Sequence, residues 1–394
     1  MIAVEIAFWL SASLIVYTHV GYPMVLLLLN KSGICSAPAR ARRDKDGRVR
    51  APASAMPGES RDHLPSVTLI VAAYDEEEVI EAKLANALAL DYRRDRLEII
   101  VASDGSSDRT VERARAAGAD IVLDLKRRGK LSAQDAAAER AAGDILAFSD
   151  ANSAWAPDAL RELVAPFADR SVGYVCGQVR FLDPEGGNLE GAYWRYEMRV
   201  RELESSLAGI TAGNGAIYAV RAEDYETLPP SGSHDLSFPF AFARRGRLSL
   251  YAPAARAEEK MVPTLEGEFA RKRRMMVGLW DIVVGEGMLS PRGYPVLYWF
   301  ELVSHRLLRY LTPLLHLVAL AANLVLLGEG WAYTAALAVQ LAILAGALLG
   351  RALPLAPLRV ARYYVLTTAS IAAGLWDRLR KGSPGAWEKA EGTR

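Results

Sequence analysis

Apolar residues in this chain are arranged in two different ways. At the two ends they form long runs without charge. Ile6 to Leu29 is 24 residues with no Asp, Glu, Lys or Arg, which at about 1.5 Å per helical residue reaches roughly 36 Å, the thickness of a bilayer core with some tilt. Tyr310–Leu327 and Trp331–Gly350 are two more such runs, separated only by Gly328-Glu329-Gly330, as in a tight membrane hairpin. A fourth segment, 363–376, is shorter than a usual span. In the middle of the chain the runs shrink to strand length and alternate with helical spacing. Val67–Ala73, Leu97–Ser103, Asp120–Leu123 and Asp144–Ser149 predict strands. Glu76–Leu90, Asp108–Ala117, Leu131–Ala142 and Pro157–Ala168 predict helices between and after them. That alternation predicts an α/β fold: a mostly parallel, doubly wound, Rossmann-like sheet covered on both faces.

The organisation follows. Residues 1–30 predict a transmembrane helix and 31–64 a flexible, proline-punctuated linker. Residues 65–295 predict a soluble domain, 296–377 a membrane region, and 378–394 a tail. No Lys or Arg precedes the first span, whereas Lys31, Arg40, Arg42, Arg43, Lys45, Arg48 and Arg50 follow it. The positive-inside rule therefore puts the N-terminus outside and the soluble domain in the cytoplasm. The tail, with Arg378, Arg380, Lys381 and Lys389, also favours the cytoplasm, which makes 363–376 an interfacial rather than a spanning segment. This is the pattern of a multi-pass membrane protein, embedded in lipid.

Composition narrows the function. A formal net charge of +1 over 394 residues argues against nucleic-acid partners, which need a basic face. Two cysteines, Cys35 and Cys176, make no disulfide framework and suit a reducing compartment.

The polar residues cluster where a parallel sheet puts its ligand, beyond the carboxyl ends of the strands. Asp104, in Ser103-Asp104-Gly105-Ser106-Ser107-Asp108, is placed to bind a ribose hydroxyl or a base N–H, while Ser107 or Asp108 can cap the following helix. Asp150 and Asn152 leave the fourth strand two residues apart and offer oxygen ligands to a hard cation, Mg²⁺ or Mn²⁺. Lys130 opens a helix, as a solvated lysine or as an ammonium that meets phosphate together with the helix N-terminus. Asp235 precedes the apolar stretch Leu236–Ala243, as a helix cap or as a general base. Arg271-Lys272-Arg273-Arg274 lies in the helical stretch Thr264–Val284, as a membrane-surface face with one arginine free to turn inward onto a diphosphate.

In this order these residues resemble the family 2 glycosyltransferases with a GT-A catalytic fold. They resemble in particular the membrane-bound branch that makes cellulose, hyaluronan, poly-N-acetylglucosamine and related exopolysaccharides. The resemblance covers Ser66 to about Arg309. It implies an inverting hexosyltransferase whose donor is a nucleotide sugar, a UDP-sugar first, and whose acceptor is lipid-linked or a growing glycan. It implies that Ala73, Tyr74 and Glu76 line the nucleotide, that Asp104 holds its base, and that Lys130 and Asp150 meet the diphosphate. Asp150 and Asn152 would hold the metal, Gly213 and Asn214 would border the acceptor, Asp235 would be the catalytic base, and Arg274 would clamp the leaving group.

The chain departs from the family at three places. Asn152 stands for the second aspartate of D-x-D. His234 stands for the glutamate before the catalytic aspartate. Arg271 and Met275 replace the glutamine and tryptophan of Q-x-x-R-W, which points to transfer of single sugars rather than processive synthesis. Two other readings are a polyprenyl-phosphate glycosyltransferase and a non-catalytic component of a polysaccharide export system. A sugar-nucleotide pyrophosphorylase is disfavoured, because Val71–Glu76 lacks a glycine-rich basic loop.

Overall fold

The structure, a computed structural model, describes residues 1–32, 64–182, 189–229, 232–260, 265–353 and 355–382. The linker reading, Cys35 and residues 383–394 of the tail lie outside these residues. A first helix α1 (Ile2–Ser32) contains a π-helical turn at Tyr17–Gly21. The catalytic region follows as β1 (Val67–Ala73), α2 (Ile80–Leu88), β2 (Leu97–Asp104), α3 (Thr110–Ala116), β3 (Ile121–Leu125), α4 (Lys130–Ala138), β4 (Ile145–Asp150), β5 (Ala154–Trp155), α5 (Ala159–Val164), β6 (Val172–Leu182), α6 (Leu189–Ser205), β7 (Ile217–Arg221), α7 (His234–Arg244) and β8 (Leu248–Lys260). Then come α8 (Leu265–Gly285), α9 (Val296–Val325, with a π turn at Leu302–Leu307), α10 (Trp331–Leu349) and α11 (Ala356–Lys381).

The eight strands form one sheet in the order β3-β2-β1-β4-β7-β6-β8-β5. The first four pair in parallel, and β7 then joins β4 and β6 antiparallel. Both faces are covered, which is why β1 reads as an unbroken apolar run. Leu69 and Val71 enter one core layer with Ile99, Val101, Ala147, Leu160 and Leu163. Ile70 points the other way, to Ile100, Phe148, Tyr174, Tyr218, Phe238 and Phe242.

Three described helices, α1, α9 and α10, are long and apolar enough to cross a membrane. The fourth apolar segment lies within α11, which packs along α8. Gly374 lets the two helices touch at Met276. Arg273 Nη2 reaches Asp377 at 2.7 Å and Arg378 Nε reaches Asp281 at 2.6 Å. The membrane helices are also tied to the catalytic region. Leu26 of α1 packs with Val200 and Leu203 of α6, and Tyr22 Oη donates to buried Glu204 at 2.7 Å.

Candidate active site

Register sets the floor of the site. Ala73 lies beside Ser103 and Ala72 opposite Asp150, so β1, β2 and β4 end nearly level and release Tyr74, Asp104 and Asp150 at one edge. The first loop turns before it becomes helical. Asp75 has φ +49, and its carboxylate accepts from Ser107 N at 2.7 Å. Glu76 N donates to Thr110 Oγ1 at 2.7 Å and Glu77 N to Asp108 Oδ2 at 3.2 Å. These cross-loop bonds hold residues 76–79 out of regular helix and delay α2 to Ile80, four residues after the predicted start. The expected cap of the following helix is Ser107 or Asp108, but Arg109 is its N-cap; Asp108 Oδ1 instead closes the turn before it by accepting from Thr110 N at 3.0 Å.

Asp104 is buried, and its carboxylate accepts from Arg128 N at 2.7 Å and from Gly129 N at 2.9 Å. It therefore suspends the loop that delivers Lys130 to the first turn of α4. Two further features shape that loop. Gly105 sits at φ +70, and a Cβ there would stand 2.8 Å from Arg127 N, so only glycine fits without strain. The Arg127 guanidinium lies 3.5 Å from the Tyr74 ring centroid, a cation–π stack. Glu76 is buried.

Charged groups converge on Lys130. Its Nζ hydrogen-bonds Asp150 Oδ1 in a half-buried ion pair. Burial depresses the ammonium, but the attraction of Asp150, Asp235 and Glu259 outweighs it and holds the pKa above the ordinary lysine value. Three carboxylates from β4, α7 and β8 thus act on one cation. Asp235 lies in the first turn of α7, after Ser233, whose side chain makes no cap bond. The Asp235 carbonyl accepts from Gly213 N at 2.6 Å.

Gly213 and Asn214 are packed into the framework. A Cβ at 213 would overlap the buried Tyr174 hydroxyl, and Asn214 Nδ2 donates to Gly177 O at 2.6 Å. The membrane stem holds the same loop from below. Arg306 Nε donates to Thr211 Oγ1 at 2.9 Å, and Tyr298 Oη to Ile210 O at 3.3 Å. Ala212, Leu236 and Phe240 share a core with Leu279, Tyr298, Leu302 and Tyr310. Arg274 is on the exposed side of α8, and it is not among the leading charges acting on Lys130.

Two groups here escaped the sequence reading. Glu259 gives no local sign of its position. Lys83 did carry a signal: it shares the apolar face of α2 with Ile80, Leu84 and Ala87. Its Nζ runs under the loop after Asp150 and donates to Ser153 O at 2.7 Å. Asn86 brackets the same loop through Trp155 N and O, both at 2.8 Å. Burial pulls Lys83 down to about 7 against the upward pull of Asp150 and Glu259.

Carboxylates from β4, α7 and β8 thus surround one ammonium beyond the strand ends, where a sheet of this kind binds its ligand. Residues 68–226 match the family described as Glycosyl transferase family 2, and the chain carries a family 2 glycosyltransferase domain of GT-A fold. It is 27% identical over 179 residues to glycosyltransferase AglE of Haloferax volcanii, covering 44% of this chain and 58% of that protein. It is 34% identical over 137 residues to poly-beta-1,6-N-acetyl-D-glucosamine synthase of Staphylococcus aureus, covering 34% of this chain and 33% of that one. The match thus spans only about a third to three-fifths of these relatives. The mannosyltransferase PcManGT from Pyrobaculum calidifontis, solved with GDP-Man and Mn²⁺, superposes with a TM-score of 0.68 over 95% of this chain and 99% of its own, at 24% identity.

Proposed function

We propose that this chain is an inverting hexosyltransferase of cell-envelope or exopolysaccharide synthesis. It moves one sugar from a nucleotide diphosphate, UDP first, to a lipid-linked or glycan acceptor at the cytoplasmic face of a bacterial inner membrane. The observation that carries the reading is the Lys130–Asp150 ion pair at the strand ends, beside Gly215 in the loop whose Gly213 N bonds the Asp235 carbonyl; it supports a diphosphate end and a base that share one site. The packing of α7 and the 210–213 loop onto α8 and α9 supports an acceptor delivered from the membrane surface.

In this mechanism the nucleotide lies over Ala73, Tyr74 and Asp104, with its diphosphate at Lys130 and Asp150. Asp235 takes the acceptor hydroxyl proton as that oxygen bonds to the anomeric carbon. The bond from that carbon to the diphosphate oxygen breaks, and Lys130 meets the charge that develops there. Among the described residues no group of three or more His, Cys, Asp or Glu side chains is arranged to hold a metal alone. The donor chemistry nevertheless fits a hard cation. Asp150, Asn152 and nearby Glu259 offer oxygens, and the pocket already stabilises positive charge at Lys130. Bound Mg²⁺ or Mn²⁺ at these oxygens would supply charge that neutralises the leaving group.

Asp235→Asn tests the assignment. The account expects transfer to fall by about 10²–10⁴-fold with nucleotide binding kept within threefold. Near-wild-type turnover would remove Asp235 from this role and would favour a phosphate nucleophile, which needs no base.

A further inference from the structure

His234 stands immediately before the base and is almost fully buried. Its hydrogen bonds form a chain whose direction follows from what each group can donate. Gln134 Nε2 donates to Tyr218 Oη at 3.1 Å. The hydroxyl proton of Tyr218 is then directed to His234 Nδ1, 2.6 Å away. With Nδ1 accepting, the neutral ring carries its proton on Nε2, which faces Tyr225 Oη at 3.4 Å. Tyr225 passes its own proton to Asp135 Oδ1 at 2.6 Å. Every hydroxyl is thereby used once as donor and once as acceptor.

Both ends of the chain are on α4, at Gln134 and Asp135, and its middle is on α7. The ring is also clamped by aromatic packing. Phe238 stacks on it at 4.3 Å and Phe148 meets it edge-on at 5.3 Å. Burial, reinforced by Lys130, pulls the imidazole down to about 3, so it is neutral throughout the working pH range. Neutrality matters to the geometry. A charged ring would have two N–H donors and would break the bond at Nδ1, while a carboxylate at 234 would have no proton to give Tyr225 and would add a buried negative charge beside Asp235.

We propose that His234 is a positioning residue: it ties the helix bearing Asp235 to the helix bearing Lys130, and so fixes the base relative to the leaving-group end of the site. The inference rests on the assignment of Asp235 as base. It explains why a neutral, two-sided side chain stands where the family pattern has a glutamate. The tether works on distance: α7 and α4 are joined by no backbone ladder, and misplacement of a reacting group by about 1 Å costs on the order of 10²-fold in rate.

The test is initial-rate kinetics of the full-length protein in membranes, with the UDP- or GDP-sugar that wild type turns over. His234→Leu, which keeps bulk and removes both hydrogen bonds, is expected to lower kcat by roughly 30–100-fold with donor KM within threefold. His234→Gln, which can accept with its amide oxygen and donate with its nitrogen, is expected to recover kcat to within about tenfold of wild type. Tyr218→Phe removes a single hydroxyl and keeps the ring stacked on Phe148, so it decides the matter if His234→Leu fails to fold. It is expected to lose about tenfold in kcat at constant KM. The inference is overturned if Tyr218→Phe and a folded His234→Leu keep kcat within threefold, if Gln rescues no better than Leu, or if donor KM rises in step with the loss. Asp235→Asn separates the two claims. Full activity there sinks the base assignment, whereas an inactive Asp235→Asn beside an intact His234→Leu sinks only the tether.

Discussion

Lys83 offers a measurable consequence of burying an ammonium under the active-site loop. In the unfolded chain it titrates near 10.5, and in the fold burial lowers it to about 7. The folded state therefore holds its proton less tightly than the unfolded state, and stability rises with pH between those two values. Below pH 7 the full penalty applies, roughly 5 kcal/mol at about 1.4 kcal/mol per pH unit. At pH 8.5 about 3 kcal/mol remains, and above 10.5 it vanishes. Lys83→Met has similar length and no charge. It removes the penalty and forfeits one hydrogen bond to Ser153 O, costing about 1–3 kcal/mol. The variant should be more stable than wild type at pH 6 by a few kcal/mol and nearly equal at pH 8.5. The roughly 2 kcal/mol change between these pH values corresponds to about 4–8 °C in Tm for a domain of this size. Paired thermal unfolding in detergent at the two pH values measures it. A stability difference that does not change with pH would refute the reasoning, since Lys83 would then be solvated or already neutral at pH 6.

Other consequences are as direct. Gly213→Ala drives a methyl group into the Tyr174 hydroxyl and should cost about 1–3 kcal/mol, read as a lower Tm that Tyr174→Phe partly restores. Glu197 of α6 is buried, and Arg309 and His305 hold its carboxyl well below the usual range against the opposing effect of burial. Glu197→Ala strands the Arg309 guanidinium that it pairs with and should lower stability by about 3–5 kcal/mol, seen as early loss of the folded fraction on heating. Gly374→Leu should separate α11 from α8 at Met276, exposing α8 to limited proteolysis at the Arg271–Arg274 run, with no change if the helices do not touch there.

What the sequence disclosed depends on how local the cause was. Val67–Ala73 and Leu97–Ser103 were readable because parallel strands buried on both faces leave continuous apolar runs that stop at turn chemistry. The common edge that carries Asp104 and Asp150 followed from the rule about strand ends, whereas Lys130 reaches Asp150 from a helix. β8 was not readable. Its sequence, LSLYAPAARAEEK, contains a proline and ends in charge, and it becomes a strand through pairing with β6. Glu259 consequently had no visible tie to Lys130. His234 was noticed only as a departure from the family pattern, because its partners Tyr218, Tyr225 and Gln134 are distributed over 92 positions and only the sheet brings them together. Arg274 shows the opposite limit. Spacing placed it on a helix but could not say which side of α8 faces the pocket, and the structure leaves it exposed.

The central claim is a single displacement at the anomeric carbon driven by Asp235. The anomeric configuration of the first product, measured by NMR after transfer from an α-linked nucleotide sugar, tests it most directly. The account predicts a β-linked product from wild type and none from Asp235→Asn. An α-linked product would contradict it.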